Sequence, residues 1–371
     1  MTHQKPYTCL ILAGEPSGDL HGAQLIQQLK QANPQLNCIG CGGDRMQAAG
    51  LECVMHIRHL SIMGFLDIVM RLPQLFQLWF RLLYTLYTVR PDIVILIDYP
   101  GFNLHFARYA HGLKIPVIYY IAPKVWASRP KRIQSIKRDV DHLAVIFPFE
   151  VDFFSQQGCC VDYVGNPLAE IGDSHDELQA LQSVEGAYTI ALLPGSRLSE
   201  WTRLYPLMHA TLLRLVQWHS NIRFILAQHP QLSDQQVQSH PQLMITSNAR
   251  AALQAADVAL VASGTATLEA AMIGTPMVVT YQTSRLNAWL AQRILITPYI
   301  SLPNILAGQS IVPEYLQKSA TSDQLAKAIQ TLLEHPADYQ EMKHQLRQLR
   351  EQLRAHPKTS MVELIQRYLD H

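Results

Sequence analysis

YTCLILAGEPSGDLHGAQLIQQL, from Tyr7 to Leu29, reads as one complete unit of a parallel α/β fold: an apolar strand, a glycine-bearing loop and a helix. Its strand shows no polar alternation, as expected where helices cover both faces of a sheet. Outward from it, LNCIGCG, LECVM, DIVILID, PVIYYIA, HLAVIF and VDYVG repeat the same short apolar run between helical patterns. That rhythm predicts a Rossmann-like sheet over residues 1–168. After VGNPL (Val164 to Leu168) it stops for IGDSHDELQALQSVEGAY, a polar and acidic surface connection. A second series, TIALLPG, IRFILAQ, QLMITS, DVALVA and PMVVTY, predicts a second sheet over residues 187–321. Residues 322–371 are helical and charged, punctuated by Pro336 and Pro357, a tail free to pack on either domain or on a partner chain as a homodimer contact. The expected fold is therefore α/β, two Rossmann-like domains facing a cleft, with ligands at the carboxyl ends of the strands.

Composition narrows the function. The 371 residues carry 30 Lys and Arg against 29 Asp and Glu, a formal charge of +1, which excludes the broad positive field of a general nucleic-acid binder. Six cysteines, all within the first 160 positions, give no disulfide framework. Cys38 and Cys41 have CxxC spacing but no second ligand pair, so no zinc site is expected. MTHQKPYTCLILAG enters a strand directly, without a readable secretory signal, and a cytoplasmic location is expected.

The chemistry should lie in the loops after strands. Gly14, Gly18 and Gly22 are spaced G-x3-G-x3-G, not as the dinucleotide fingerprint, and IGCGGDRM places Arg45 where its third glycine belongs. Glu15, Ser17 and Asp19 add polar groups to the first loop. DIVILID ends in Asp98, either a general base at the strand end or a cap for the following helix, with Asn103 nearby to position a substrate. In the second half, Gly195, Ser196 and Arg197 of LLPGSR offer backbone N–H groups and a guanidinium for phosphate. Ser263, Gly264 and Thr265 open a helix whose N-terminus favours a diphosphate, and Glu269, one turn on, suits ribose hydroxyls. Asp139-Val140-Asp141 imitates a metal-binding DxD but precedes the strand HLAVIF, so neither metal nor cofactor is expected.

The run E-A-x3-G-T-P, Glu269 to Pro276, resembles the nucleotide-sugar signature of GT-B glycosyltransferases. More closely, AGEPSGDLHGAQLI, SIMGF, IDYPGFN, KVWASRPKR, FPFE, LLPGSR, VASGTATLEA and SLPNILAG occur in the order seen in the lipid-A-disaccharide synthase family, a resemblance covering nearly the whole chain. It implies an inverting, metal-independent transfer from UDP-2,3-diacylglucosamine to 2,3-diacylglucosamine 1-phosphate, making a β-1,6 bond and releasing UDP. The first domain would bind the acceptor and the second the UDP-sugar. The family's base matches Asp98, its acidic loop residue Glu15, its PGSR arginine Arg197 and its nucleotide-contacting asparagine Asn304. Departures are PGFN where many members have PDFN, and Val164-Gly165-Asn166 for VGH; they bear on acceptor contacts. The alternatives are a UDP-sugar epimerase or a non-catalytic nucleotide-sugar binder of the same architecture.

Two features fit a lipid-linked acceptor at the inner face of the cytoplasmic membrane. Lys124 to Arg138 holds six basic residues and no acidic one, an attractor for anionic lipid or acceptor phosphate, or else a solvated face. Met63, Phe65, Leu66, Phe76, Trp79 and Phe80 form a membrane patch on a helix with few charges, or else pack in the core.

Overall fold

The computed structural model describes residues 7–59, 65–167, 187–228, 237–284, 288, 297–354 and 357–370. The chain divides into two compact units, Met1–Pro167 with Ala355–His371, and Leu168–Arg354. In the first unit the strands are β1 (Thr8–Ala13), β2 (Asn37–Gly42), β3 (Glu52–His56), β4 (Ile93–Ile97), β5 (Val117–Tyr120), β6 (His142–Val145) and β7 (Val161–Tyr163). They form one parallel sheet in the order β3-β2-β1-β4-β5-β6-β7. The connections hold α1 (Pro16–Ala32), α2 (Asp44–Ala48), α3 (Phe65–Val89), α4 (Pro100–Gly112), α5 (Ile133–Asp139) and α6 (Pro148–Gln156).

The second unit repeats the plan with β8 (Tyr188–Leu193), β9 (Ile222–Ala227), β10 (Leu243–Thr246), β11 (Val258–Ala262), β12 (Met277–Tyr281) and β13 (Glu314–Leu316). Its parallel order is β10-β9-β8-β11-β12-β13. Its helices are α7 (Leu198–Trp218), α8 (Ala249–Ala255), α9 (Thr265–Ile273), α10 (Leu302–Ala307), α11 (Ser322–Glu334) and α12 (Pro336–Leu353).

Why these runs form central strands is plain from their burial: β4 is IVILI and β11 is VALVA, and every residue of both is buried. An aspartate preceding each fastens the neighbouring strand. Asp92 Oδ2 accepts from Thr8 N at 2.8 Å, and Asp257 Oδ2 accepts from Thr189 N at 2.8 Å. Both sheets are thus tied at their amino-terminal rims, leaving the carboxyl-terminal loops for chemistry. Gly40 leaves no room for a side chain within the first sheet: its φ is +144°, and a Cβ there would lie 2.0 Å from Ile11 O. Cys38 and Cys41 stand three positions apart on β2, which directs their side chains to opposite faces and denies them a common ligand.

The charged segment 322–371 is shared between the units. α11 packs on α7, with Arg214 Nε 3.0 Å from Asp323 Oδ1, and α12 packs on α9. α13 (Met361–Leu369) returns to the first unit, burying Met361, Leu364 and Ile365 in a helix that packs on α1. The division follows from amphipathicity: Ser360 and Glu363 close a capping box and restart the helix with its own apolar face. Among the described residues no helix is long and apolar enough to cross a membrane.

Candidate active site

In the first sheet the strand order changes direction between β1 and β4, where Ala13 pairs with Ile97. The loops leaving those two strands diverge to opposite sides, the usual place for a ligand in an open α/β sheet. One loop carries Gly14 and Glu15, the other Asp98 and Tyr99. Asp98 and Tyr99 are consecutive left-handed residues, with φ of +46° and +48°. Gly14 is obligatory beneath them, since a Cβ would lie 2.2 Å from the Tyr99 ring. The N-cap position of α4 falls to Tyr99, one residue after Asp98. Its half-buried carboxylate stands at the strand end.

Other polar residues of these loops turn inward. Asn103 is buried, and its Nδ2 donates to Asp98 O at 2.8 Å and Ile97 O at 3.1 Å, so the structure does not present it for substrate contact. Asp19 is also buried: its carboxylate accepts from Gly43 N (2.7 Å), Met46 N (3.0 Å) and Arg45 N (3.2 Å). It thereby satisfies the start of α2, the second glycine cluster of the sequence. Gly18 lets α1 approach β1, a Cβ there lying 3.2 Å from Ala13 Cβ. Glu15 and Ser17 remain half-buried at the beginning of α1.

The basic segment is anchored by a carboxylate that sequence reading left without a role. Trp126 Nε1 donates to Glu150 Oε1 at 2.9 Å, and Phe147 N donates to Oε2 at 3.2 Å. Burial pushes the Glu150 carboxyl up to about 7, against these bonds and the Lys124 charge. Farther along, Arg132 is held below its ordinary value by burial and by the Arg129 charge, and its charge acts in turn on the buried Tyr119 phenol. Burial, then the Asp98 charge, raises Tyr119 well above the usual phenol range. Arg129, Arg132, Tyr119 and Asp98 are therefore electrostatic neighbours. The DxD imitation lies at the other rim: Arg138 grips Asp139 through two bonds of 2.7 and 2.6 Å, and Asp141 Oδ2 accepts from Val117 N at 2.8 Å.

α3 divides the membrane-patch candidates. Phe76 and Phe80 are 57% and 63% exposed, and Tyr84 and Tyr87 continue their stripe. Trp79 faces inward, its ring edge-on to Phe102 at 4.9 Å, Phe106 at 5.9 Å and Tyr109 at 5.7 Å, fixing α3 to α4. Its apolar bulk is used in packing. Phe65 and Leu66 open α3, and Met63 lies outside the described residues.

The second sheet repeats the switch between β8 and β11, where Leu193 pairs with Val261. This sets the loop of Gly195, Ser196 and Arg197 beside that of Ser263, Gly264 and Thr265. Gly195 has φ +118°, and a Cβ would lie 2.6 Å from Glu200 Oε2. Arg197 occupies the N-cap position of α7, its half-exposed guanidinium 3.8 Å from Glu200 Oε1. Gly264 and Thr265 are exposed at the start of α9, which has no side-chain N-cap bond. Glu269, on that helix, is raised by burial and drawn down by the Arg250 charge.

Asn304 is not at this surface. It is buried, with Nδ2 donating to Val312 O and Glu314 Oε1, each at 2.8 Å, while Oδ1 accepts from Ile311 N (2.8 Å) and Val312 N (2.9 Å). Both halves of the amide are occupied in shaping the loop between α10 and β13. Glu314 completes that loop by accepting from Ile300 N at 3.0 Å and Ser301 N at 2.9 Å. Ser263 Oγ donates to Ile300 O at 3.0 Å, joining it to the α9 entrance.

Residues 9–368 match the family model described as lipid-A-disaccharide synthetase. The chain belongs to the lipid-A-disaccharide synthase family. It is 40% identical over 337 residues to the lipid-A-disaccharide synthase of Azotobacter vinelandii, covering 87% of this chain and 89% of that protein. With that of Pseudomonas aeruginosa it is 36% identical over 369 residues, covering 96% and 98%. Members of the family are glycosyltransferases of lipid A biosynthesis. Among solved structures, the glycotransferase of kitacinnamycin has a TM-score of 0.67 at 18% identity, covering 98% of this chain and 99% of its own. The UDP-GlcNAc 2-epimerase of Neisseria meningitidis bound to UDP-GlcNAc has a TM-score of 0.62 at 11% identity, covering 99% and 100%. These likenesses establish the GT-B type of fold for both units, and the family match favours glycosyl transfer over epimerisation.

Glu150 gives this lipid-A-disaccharide synthase family member a pH signature. Its folded-state pKa, about 7, exceeds the ordinary 4.5, so the fold binds the proton more tightly than the unfolded chain. Stability should fall as pH rises from about 4.5 to about 7, then level off. Glu150→Gln, which imitates the neutral acid, should flatten this slope in denaturant titrations, its relative stability improving between pH 5 and pH 8. An unchanged slope would show that Glu150 does not carry it.

Proposed function

We propose that this chain joins UDP-2,3-diacylglucosamine to the 6-hydroxyl of 2,3-diacylglucosamine 1-phosphate, producing the β-1,6 disaccharide 1-phosphate and UDP. The observation that carries the reading is Asp98 at the switch point of one sheet, matched by the Gly195–Arg197 and Ser263–Thr265 loops at the switch point of the other. Asp98 takes the hydroxyl proton as the oxygen attacks the anomeric carbon. The bond from that carbon to the diphosphate breaks, and its electron pair leaves with UDP. Arg197 and the N-terminus of α9 receive the negative charge, so no metal is needed for the leaving group. Glu269 accepts from the ribose hydroxyls, and Glu15 supports the acceptor beside Asp98. The 1-phosphate meets Arg129 and Arg132. Asn304 and Glu314 hold the loop against which the nucleotide rests.

Incubating the protein with both substrates and finding the disaccharide phosphate by mass tests the reaction; folded protein that makes none contradicts it. Asp98→Asn should lower turnover by about 10²- to 10⁴-fold with UDP affinity retained. Arg197→Ala should show the complementary pattern, weakening UDP binding by roughly 1.5–3 kcal/mol in calorimetry. Near-parent turnover of the first variant, or near-parent affinity of the second, removes the assigned role.

The reaction takes place at the inner face of the cytoplasmic membrane, where the Phe76, Phe80, Tyr84 and Tyr87 stripe and the basic segment meet the lipid. Replacing Phe76 and Phe80 together by Ser should reduce binding to anionic vesicles and leave the thermal transition nearly unchanged, since both side chains are mostly solvent-exposed. Undiminished vesicle binding would exclude the stripe as the contact.

A further inference from the structure

We infer that Tyr119 and Asn103 are positioning residues for the base, fixing the backbone of Asp98 so that its carboxylate meets the acceptor hydroxyl; the inference rests on the reading of Asp98 as that base. A strand end without support relaxes into extended conformations, and each such change swings the side chain away. Asp98 and Tyr99 instead occupy two left-handed positions in succession, at φ +46° and +48°, a conformation disfavoured for residues bearing a Cβ. It persists only where neighbours determine it, and here every backbone polar group of Asp98 is engaged. Its N–H donates to Tyr120 O at 3.1 Å. Its carbonyl accepts from Tyr119 Oη at 2.6 Å and from Asn103 Nδ2 at 2.8 Å.

The two donors arrive from different elements. Tyr119 stands on β5, the strand hydrogen-bonded to β4, and is fully buried, so its hydroxyl has no access to bulk water as a substitute partner. Asn103 comes from the first turn of α4 and also donates to Ile97 O, which spans the last strand residue and the base. The Tyr99 ring closes over Gly14 on the adjoining loop, where no other residue leaves space. Strand, helix and neighbouring loop thus converge on one peptide unit. A packing role alone would not require a phenol and an amide aimed at the same carbonyl oxygen.

A double-mutant cycle on the full chain separates positioning from packing. Tyr119→Phe retains the buried ring and removes the bond. It should lower kcat by about 10- to 100-fold, the scale of a misplacement of about 1 Å, while KM for both substrates and the UDP affinity stay within about twofold. In an Asp98→Asn background the same change should have almost no further effect, because there is no base left to aim. Should Tyr119→Phe fail to fold, Asn103→Ala is put through the same cycle. Parent-level kcat in the folded variant, or an equal loss with and without Asp98, overturns the inference while leaving the base assignment standing. Near-parent turnover of Asp98→Asn by itself instead overturns the base reading, and the inference with it.

Discussion

The parallel pairing of β1 with β4, repeated by β8 with β11, fixes where reactive groups can stand in each unit. Because the sheet grows away from this pair in both directions, the connections leaving the two strands go to opposite faces, and their loops are the ones not covered by a crossover helix. Asp92 and Asp257 reinforce the pairs from the other rim by fastening the strands at their starts. Hydrogen bonds to a charged group are worth roughly 1.5–3 kcal/mol each, and these two, partly buried, sit where no chemistry is required. Glycine is demanded where the loops after β1 and β4 meet, at Gly14 under Tyr99, and again where the loop after β8 turns back on its own helix, at Gly195 over Glu200.

Around these switch points, the polar side chains fall into two sets. Asn103, Asp19, Asn304 and Glu314 are spent on backbone groups, so the loops are stiff before any ligand arrives. Glu15, Asp98, Arg197, Thr265 and Glu269 retain some exposure at the strand and helix ends. Preorganised loops cost less to order on binding and hold charge where it develops during reaction. The same economy explains Glu150, a carboxylate that accepts burial to fasten the Trp126 turn and with it the segment carrying Arg129 and Arg132.

The sequence made most of the fold legible because parallel strands buried on both faces read as unbroken apolar runs, as in DIVILID and DVALVA. β13 escaped for the converse reason: Glu314-Tyr315-Leu316 is three residues long at a sheet edge and includes a charge. Loop positions were equally legible, since they follow strand ends. What could not be read was which polar side chain in a loop faces outward. Asn103 and Asn304 sit among motif residues, yet their amides answer carbonyls and N–H groups brought near by the tertiary fold. Tyr119, inside PVIYYIA, gave no local sign that its hydroxyl reaches the adjoining strand. Trp79 shows the same limit on a helix, where an aromatic run marks an apolar surface without telling which rings pack inward.

At the centre of the account is the proposal that Asp98 removes a proton in a single displacement and forms no bond to sugar. A carboxylate beside an anomeric centre is also able to act as a nucleophile, in which case two displacements restore the original configuration. The anomeric configuration of the new linkage, determined by nuclear magnetic resonance on product made from the α-linked UDP donor, separates the two most directly. The account predicts a β linkage. An α linkage would contradict it and assign Asp98 to covalent rather than base chemistry.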